Sequence, residues 1–221
     1  KIKLFYKNNI KYNFIIECTF CGDINKLIND GRHYYISHRV KNSFLKYKNI
    51  FYLTPLNNSN YIYADILPFI EKKYRTNIPV FCIQGSLNKN RRDYNLLKNI
   101  LNKEYNYKYI IKLIGYGYLP EELKDYENKI LLKTNLNFLN YHKEFLDVFC
   151  IIPLISLKKN SNYYTNQLTS SISYGKGYKL NFLIDKNLQE IYNLDNAYTY
   201  SDDICEKFND ILIDFYKIKN I

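Results

Sequence analysis

Short apolar runs alternate with longer amphipathic stretches through most of this 221-residue chain. Each apolar run is rich in Ile, Leu, Val or Phe and is bounded by glycine, proline or polar residues, which is typical of a strand buried on both faces. Strands that alternate with helices of this size predict βαβ units and a parallel sheet. The predicted strands cover residues 80–85, 110–114, 129–132, 149–154, 180–184 and 197–200.

Helix-start signals lie between these strands. Pro120 is followed by two glutamates, and proline at the first helical position with early carboxylates marks a helix start. Asn187 and Asp203 each precede a glutamate by three residues, which is the spacing of a capping box. The predicted helices cover residues 91–101, 120–126, 141–148 and 168–174, a short segment from 187 and a long amphipathic segment from 203.

Residues 1–76 show a less regular pattern. We interpret this segment as a shortened, incomplete α/β lobe that could carry the acceptor side of a site, with the boundary between Tyr74 and Pro79. Residues 77–221 then form a Rossmann-like, doubly wound layer with right-handed crossovers. The elements predicted in the first lobe are strands at 12–16, 34–37 and 50–53, a helix at 23–29 and a polar loop at 57–60.

The chain has 32 basic and 21 acidic residues, a formal net charge of +11. One interpretation is a protein that binds nucleic acid or phosphate. The other is codon bias in an AT-rich genome, since Lys, Asn, Ile and Tyr are all abundant. The basic residues are spread along the chain without a dense cluster, so we expect no specific nucleic-acid binding. The excess positive charge still suits an anionic ligand.

Five cysteines occur in the chain. Cys82 and Cys150 lie within apolar runs, which predicts small core residues. Cys18 and Cys21 form a lone CxxC without a second pair or a histidine at zinc spacing, so we expect no metal site.

No stretch approaches the ~20 uncharged apolar residues that cross a membrane. The start lacks the apolar segment of a signal peptide, so we expect a cytoplasmic protein without a membrane span. The sequence begins with Lys1 and contains no methionine, which leaves open whether its start or its methionines are missing.

Two of the predicted strand-to-helix corners carry groups that suit phosphates. The strand that ends in Gly85 leads into a polar loop with Arg91 and Arg92, and arginine offers bidentate contacts to phosphate oxygens. The alternative for this loop is a solvated basic turn. Thr169, Ser170 and Ser171 open the later helix beside Gln167, where free amide N–H groups could cradle a pyrophosphate. The alternative there is ordinary capping by one hydroxyl residue.

The other two corners are weaker candidates. Gly115 and Gly117 form a Gly-x-Gly turn after the second regular strand. Asn135, Leu136 and Phe138 follow the third strand, where an apolar and an aromatic side chain could pack on a base. Plain loop packing explains them equally well.

Three histidines are present. His142 falls on a predicted helix and is expected at the surface or at a cap. His33 and His38 bracket the predicted strand at 34–37. His38 could face a cleft and act as a base or an anion contact, although a lone histidine is usually structural.

Taken in order, these corners resemble the carboxy-terminal lobe of GT-B glycosyltransferases that use nucleotide sugars. The resemblance starts at the strand that ends in Gly85, with Arg91 and Arg92 at the next helix start. It spans roughly two-thirds of the chain, and order and spacing together carry it more than any one motif. It continues through residues 112–123, 135–138, 141–149, 151–154 and 165–177.

The resemblance implies transfer of a sugar from a UDP- or GDP-sugar to an acceptor, which could be a protein, a glycan or a lipid-linked molecule. It implies no metal and no bound cofactor. Gly85 and Gly115 would permit close approach to the donor. The residues implied for the donor diphosphate are Gly85, Arg91, Arg92, Gln167, Thr169, Ser170 and Ser171, and those for the nucleoside are Gly115, Gly117, Asn135, Leu136 and Phe138.

The family usually carries a pair of glutamates around its late helix, whereas no Asp or Glu occurs between Lys158 and Leu183 here. Gln167, Thr169 and Ser173 would have to take their place. This departure favours an alternative function, a non-catalytic nucleotide-binding or assembly module built on the same fold. A nucleic-acid-binding protein is a third hypothesis that rests on charge alone. The oligomeric state is open, a dimer included.

Overall fold

The computed structural model describes residues 15–18, 33–37, 39–53, 56 and 76–219. The chain divides into two compact units, Lys1–Ala64 with Tyr164–Leu168, and Asp65–Tyr163 with Thr169–Ile221. Residues 164–168 therefore group with the first unit. The sequence had placed them in the predicted second lobe, residues 77–221. The predicted helix at 23–29, the loop at 57–60 and His38 lie outside the described residues.

The first unit contains a three-stranded parallel sheet in the order β1-β2-β3. Its strands are β1 (Ile15–Cys18), β2 (His33–Ser37) and β3 (Ile50–Tyr52). The strand predictions for this region are thus confirmed, with bounds shifted by a few residues. A short 3₁₀ helix at Asn42–Phe44 precedes β3 and buries its phenylalanine.

The second unit is built on a six-stranded sheet in the order β6-β5-β4-β7-β8-β9, and every pair of neighbouring strands is parallel. This confirms the predicted α/β class and is compatible with a Rossmann-like layer. The order reverses between β4 and β7, so these central strands form the topological switch point. The strands are β4 (Val80–Ser86), β5 (Ile110–Tyr116), β6 (Ile130–Thr134), β7 (Cys150–Ile151), β8 (Asn181–Asp185) and β9 (Ala197–Tyr200).

Helices cover both faces of this sheet. On one face Phe81 of β4 packs against Phe208 of α7, with ring centroids 4.3 Å apart, and α1 joins the same core. On the other face Gly175 of α5 lies against Phe182 of β8, so closely that a Cβ there would meet the ring. The helices are α1 (Tyr94–Asn102), α2 (Phe138–Lys143), α3 (Leu157–Asn160), α4 (Asn162–Thr165), α5 (Ser170–Gly177), α6 (Lys186–Tyr192) and α7 (Ile204–Lys219).

Three helix predictions need correction. Residues Glu121–Lys129 form a 3₁₀ helix, and Pro120 is its extended cap with ψ of 142°, not its first helical residue. The helix predicted at 141–148 is α2, which begins at Phe138 because the side chain of Asn137 accepts a hydrogen bond from the amide of Asn140 at 2.9 Å. The helix predicted from Arg91 begins at Tyr94.

One predicted capping box is present in part and the other is displaced. Asp203 accepts from the amide of Cys205 at 2.8 Å at the start of α7. At the start of α6 the cap is Asp185, which accepts from the amides of Asn187 and Leu188, so the prediction of Asn187 as the cap is wrong. A carboxylate at the end of β8 caps α6 directly because no loop separates strand from helix.

Candidate functional site

The carboxyl end of β4 brings three predicted site residues together. Gly85 has a φ of +111°, which favours glycine, and a Cβ built there would lie 2.8 Å from Nη2 of Arg92 and 3.5 Å from Oγ of Ser170. The missing side chain therefore makes room for a guanidinium and a hydroxyl. This is the switch point of the sheet, where α/β proteins hold their ligands.

Arg92 is buried, with 3% of its surface exposed. Its Nη2 donates to the carbonyl oxygen of Gln84, and its Nη1 donates to that of Arg91 at 2.9 Å. Within residues 76–219 and the other described segments, no carboxylate pairs with this guanidinium, and its Nε has no hydrogen-bond partner. Burial lowers the pKa of Arg92, against an opposing effect of Tyr163. An arginine remains protonated in proteins, so the buried guanidinium keeps its positive charge. Burying such a charge without an acid partner costs free energy.

Gln84 connects the elements around this charge. Its Oε1 accepts from the hydroxyls of Ser170 at 3.2 Å and Ser171 at 3.3 Å, and its Nε2 donates to the hydroxyl of Tyr141 at 2.7 Å. Gln84 is not among the site residues predicted from the sequence. The signal was a single polar residue inside the apolar run 80–85, and such a buried amide must find partners. We call Gln84, Gly85, Arg92, Ser170 and Ser171 the Arg92 cluster.

The amino end of α5 lies at this cluster. Thr169 is the N-cap, yet its side chain makes no cap hydrogen bond, and its buried Oγ1 has no partner among the described residues. Ordinary capping by Thr169, the alternative considered for this corner, is therefore not observed. The first amides of α5 and this hydroxyl remain as donors for a ligand.

Arg91 is exposed, and its Nη1 lies 3.4 Å from the hydroxyl of Tyr163. The acid that follows, Asp93, accepts from Oγ of Ser156 at 2.6 Å and lies 3.9 Å from Nζ of Lys159. The carboxylate of Asp93 thus faces Ser156 and Lys159, its Oδ1 makes no hydrogen bond among the described residues, and it does not pair with Arg92.

The missing side chain of Gly115 serves the pairing of two strands. A Cβ at Gly115 would lie 1.8 Å from the carbonyl oxygen of Gly85, so its missing side chain allows β4 and β5 to approach each other. The strand pairing accounts for the glycine at this position, and its role as a ligand contact stays a prediction. Gly117 follows with a φ of +117°.

The residues predicted for a base lie at the carboxyl ends of β5 and β6. The amide of Asn135 donates to the carbonyl of Gly115 at 3.1 Å, and Asn135 itself is exposed. Leu136 is half-buried. Phe138 is 66% exposed, and its ring centroid lies 4.5 Å from that of His142.

His142 is not at the surface, so that prediction is wrong. It is 3% exposed, and its Nδ1 lies 2.5 Å from the hydroxyl oxygen of Tyr178. Burial lowers the pKa of His142. α2 packs toward α5 through aromatic rings, since the ring centroid of Tyr141 lies 5.6 Å from that of Tyr174, and the histidine lies within this packing.

Gln167 belongs to the first unit, where it is buried and forms an isolated antiparallel bridge with Arg39. Gln167 therefore belongs to a different unit from the Arg92 cluster. His38 falls outside the described residues.

Cys82 and Cys150 are buried, as predicted. In the part of the chain that the structure describes, no group of three or more His, Cys, Asp or Glu residues could hold a metal ion. No helix in that part is long and apolar enough to cross a membrane.

No protein-family model matches the sequence, and no curated protein matches it. The geometry at the carboxyl end of β4 is thus the basis for a functional assignment.

Proposed function

We propose that this protein is a metal-independent glycosyltransferase of the GT-B type that uses a UDP- or GDP-sugar and an acceptor of unknown class. The observation that carries the proposal is the buried guanidinium of Arg92, which no acid among the described residues compensates, beside Gly85 and the amino end of α5. Burying a charge costs free energy unless an opposite charge joins it. A diphosphate supplies that charge.

The same groups suit the chemistry. In the transfer, the bond between the sugar C1 and the diphosphate oxygen breaks, and the acceptor oxygen forms a bond to C1 as it loses a proton. The leaving diphosphate gains negative charge, and preorganised donors in a site of low dielectric stabilise that charge. Arg92, the hydroxyl of Thr169 and the amides that open α5 are the proposed donors. The base that takes the proton from the acceptor is proposed to be His38, which lies outside the described residues.

A non-catalytic nucleotide-binding module is the second candidate. It is favoured by the composition of the site, since the Arg92 cluster contains no carboxylate and residues 159–182 contain none either. Such a module would bind the same nucleotide without transferring a sugar.

Calorimetric titration of the full chain with UDP, GDP, their sugars and inorganic pyrophosphate tests binding. Arg92→Met removes the charge but keeps an unbranched apolar side chain, and we expect it to weaken binding about tenfold or more. The matched control is Lys108→Met, which removes one exposed charge just before β5, at the opposite end of the sheet. Equal affinities in the two variants would refute the diphosphate site.

A mass-spectrometric assay for sugar transfer to protein, glycan and lipid-linked acceptors then separates the candidates. Tight binding with hydrolysis or transfer of the sugar supports the enzyme. Binding with no consumption of the donor under any of these acceptors supports the module.

A further inference from the structure

We propose that the ring of Tyr116 is the platform on which the base of the nucleotide stacks. This inference rests on the proposed function and gives a role to Tyr116, the residue between Gly115 and Gly117, which is not among the residues predicted for the site. Tyr116 is the last residue of β5 and is 77% exposed. Among the described residues its side chain makes no hydrogen bond and no ring contact, although its backbone carbonyl accepts from the amide of Leu87 at 3.1 Å. The faces of this ring are therefore open to a planar ligand.

The alternation of β5 places this ring on the same side of the sheet as the polar groups of the site. Lys112, Ile114 and Tyr116 alternate along the strand and so share a face. Gln84 of β4 is in register with Ile114 and therefore lies on that face, where it bonds to Ser170. The ring and the hydrogen-bonded part of the Arg92 cluster thus share one face and one end of the sheet.

The separation also suits a nucleotide. Tyr116 pairs with Ser86 across one strand spacing, ~4.8 Å, and Ser86 follows Gly85 directly, ~3.8 Å along the chain. If the phosphates of a ligand lie between Arg92 and Ser170, the ring of Tyr116 is reached by the group that one sugar separates from those phosphates. In a nucleoside diphosphate that group is the base.

The proposal selects a ligand class. An aromatic platform beside an anion site favours a planar base joined to a diphosphate over inorganic pyrophosphate or an isoprenoid diphosphate. Stacking on an aromatic side chain tolerates every base, because each base has a π-face. Tyr116 therefore adds affinity for nucleotides in general, and it does not distinguish UDP from GDP.

Tyr118 is the matched control. It is also exposed, at 85%, and also makes no hydrogen bond or ring contact among the described residues. It follows Gly117, whose φ of +117° ends the extended backbone, so it lies beyond the register that aligns Tyr116 with the cluster.

The chain has no tryptophan, so single tryptophans report on each position without background. We expect the emission of Tyr116→Trp to be quenched by UDP and GDP but not by inorganic pyrophosphate, and that of Tyr118→Trp to respond to neither. In calorimetry, Tyr116→Ala should weaken UDP binding about tenfold and leave pyrophosphate binding unchanged. Tyr116→Phe should keep wild-type affinity.

The outcomes separate this inference from the proposed function. Equal effects at positions 116 and 118 would overturn the platform. A wild-type chain that binds pyrophosphate as tightly as UDP would also overturn it, while leaving the anion site intact. A wild-type chain that binds neither would refute the proposed function, and the platform with it.

Discussion

Two buried cations of the second unit differ in whether an acid neutralises them. Lys112 in β5 and Arg92 before α1 are each 3% exposed. The Nζ of Lys112 lies 2.7 Å from Oδ1 of Asp147 and 3.1 Å from Oε2 of Glu144, so two carboxylates neutralise it. The guanidinium of Arg92 instead donates to the carbonyl oxygens of Gln84 and Arg91, and no carboxylate among the described residues pairs with it.

The difference shows that burial alone does not mark a functional cation. Lys112 and its acids join β5 to the turn after α2, which is a structural contact. Arg92 lies at the switch point of the sheet. Among the described residues its charge has no acid partner and its Nε has no hydrogen-bond partner. Compensation by acids, and not depth, separates the two, and the following predictions test that separation.

The largest effect is expected at Lys112. Lys112→Ala leaves two carboxylates facing each other without a cation, and we expect a loss of about 3 kcal/mol in the free energy of unfolding. Urea denaturation measures this loss. Lys133→Ala is the control, because its Nζ lies 3.9 Å from Glu144 and its side chain is more exposed, so it should cost under ~1 kcal/mol. A loss in Lys112→Ala as small as the one expected for Lys133→Ala would mean that Lys112 is not a structural contact.

A slightly smaller effect is expected from anions. Inorganic pyrophosphate at a hundred times its Kd should raise the free energy of unfolding by about 2.7 kcal/mol in the wild type. Arg92→Met should abolish most of this gain, whereas Lys133→Ala should keep it. Thermal unfolding with increasing pyrophosphate measures both. The comparison fails if Arg92→Met responds like the wild type.

The ligand-free stability of Arg92→Met should change little and in the opposite direction to that of Lys112→Ala. Replacing a buried, uncompensated charge with an apolar side chain of similar length removes a desolvation cost. We expect a change within ~1 kcal/mol, with a gain in stability favoured. Urea denaturation without anions decides it. A loss as large as that of Lys112→Ala would show that the hydrogen bonds of Arg92 hold the fold.

The smallest effect is expected at a third buried base. Burial holds the pKa of His142 below its usual 6.5, so the folded protein favours the neutral ring. Above pH 6.5 both states are neutral and the histidine has no effect. As the pH falls below 6.5, the unfolded chain binds the proton first, and stability decreases through that window. His142→Gln should flatten this part of the stability profile relative to the wild type. Identical profiles would show that His142 is protonated without cost.

The sequence predicted the parallel sheet well because its strands are strong local signals. The runs at 80–85 and 110–114 are apolar on both faces and match β4 and β5 within two residues. The meeting of Gly85, Arg92 and Ser170 was also within reach. Parallel strands end on the same side of a sheet, so loops that follow different strands come together there.

The errors arose where a contact between distant residues decided the outcome. His142 has the pattern of a surface residue along its helix, and only the packing of α2 on α5 buries it. The part that Gly115 plays in strand pairing was likewise not visible in the sequence, because it depends on the register with Gly85. Lys112 falls within an apolar strand, and its partners come more than thirty residues later.

Periodicity and chain-local signals determined the fold class, the strand positions and the loops that carry the arginines and serines. These depend on neighbouring residues, which a sequence displays directly. Whether each buried charge has an acid partner, and which ring stays exposed beside the site, was decided by the tertiary structure alone. Both depend on distances of a few ångströms between side chains remote in sequence, and such distances exist only once the strands pair and the helices pack on them.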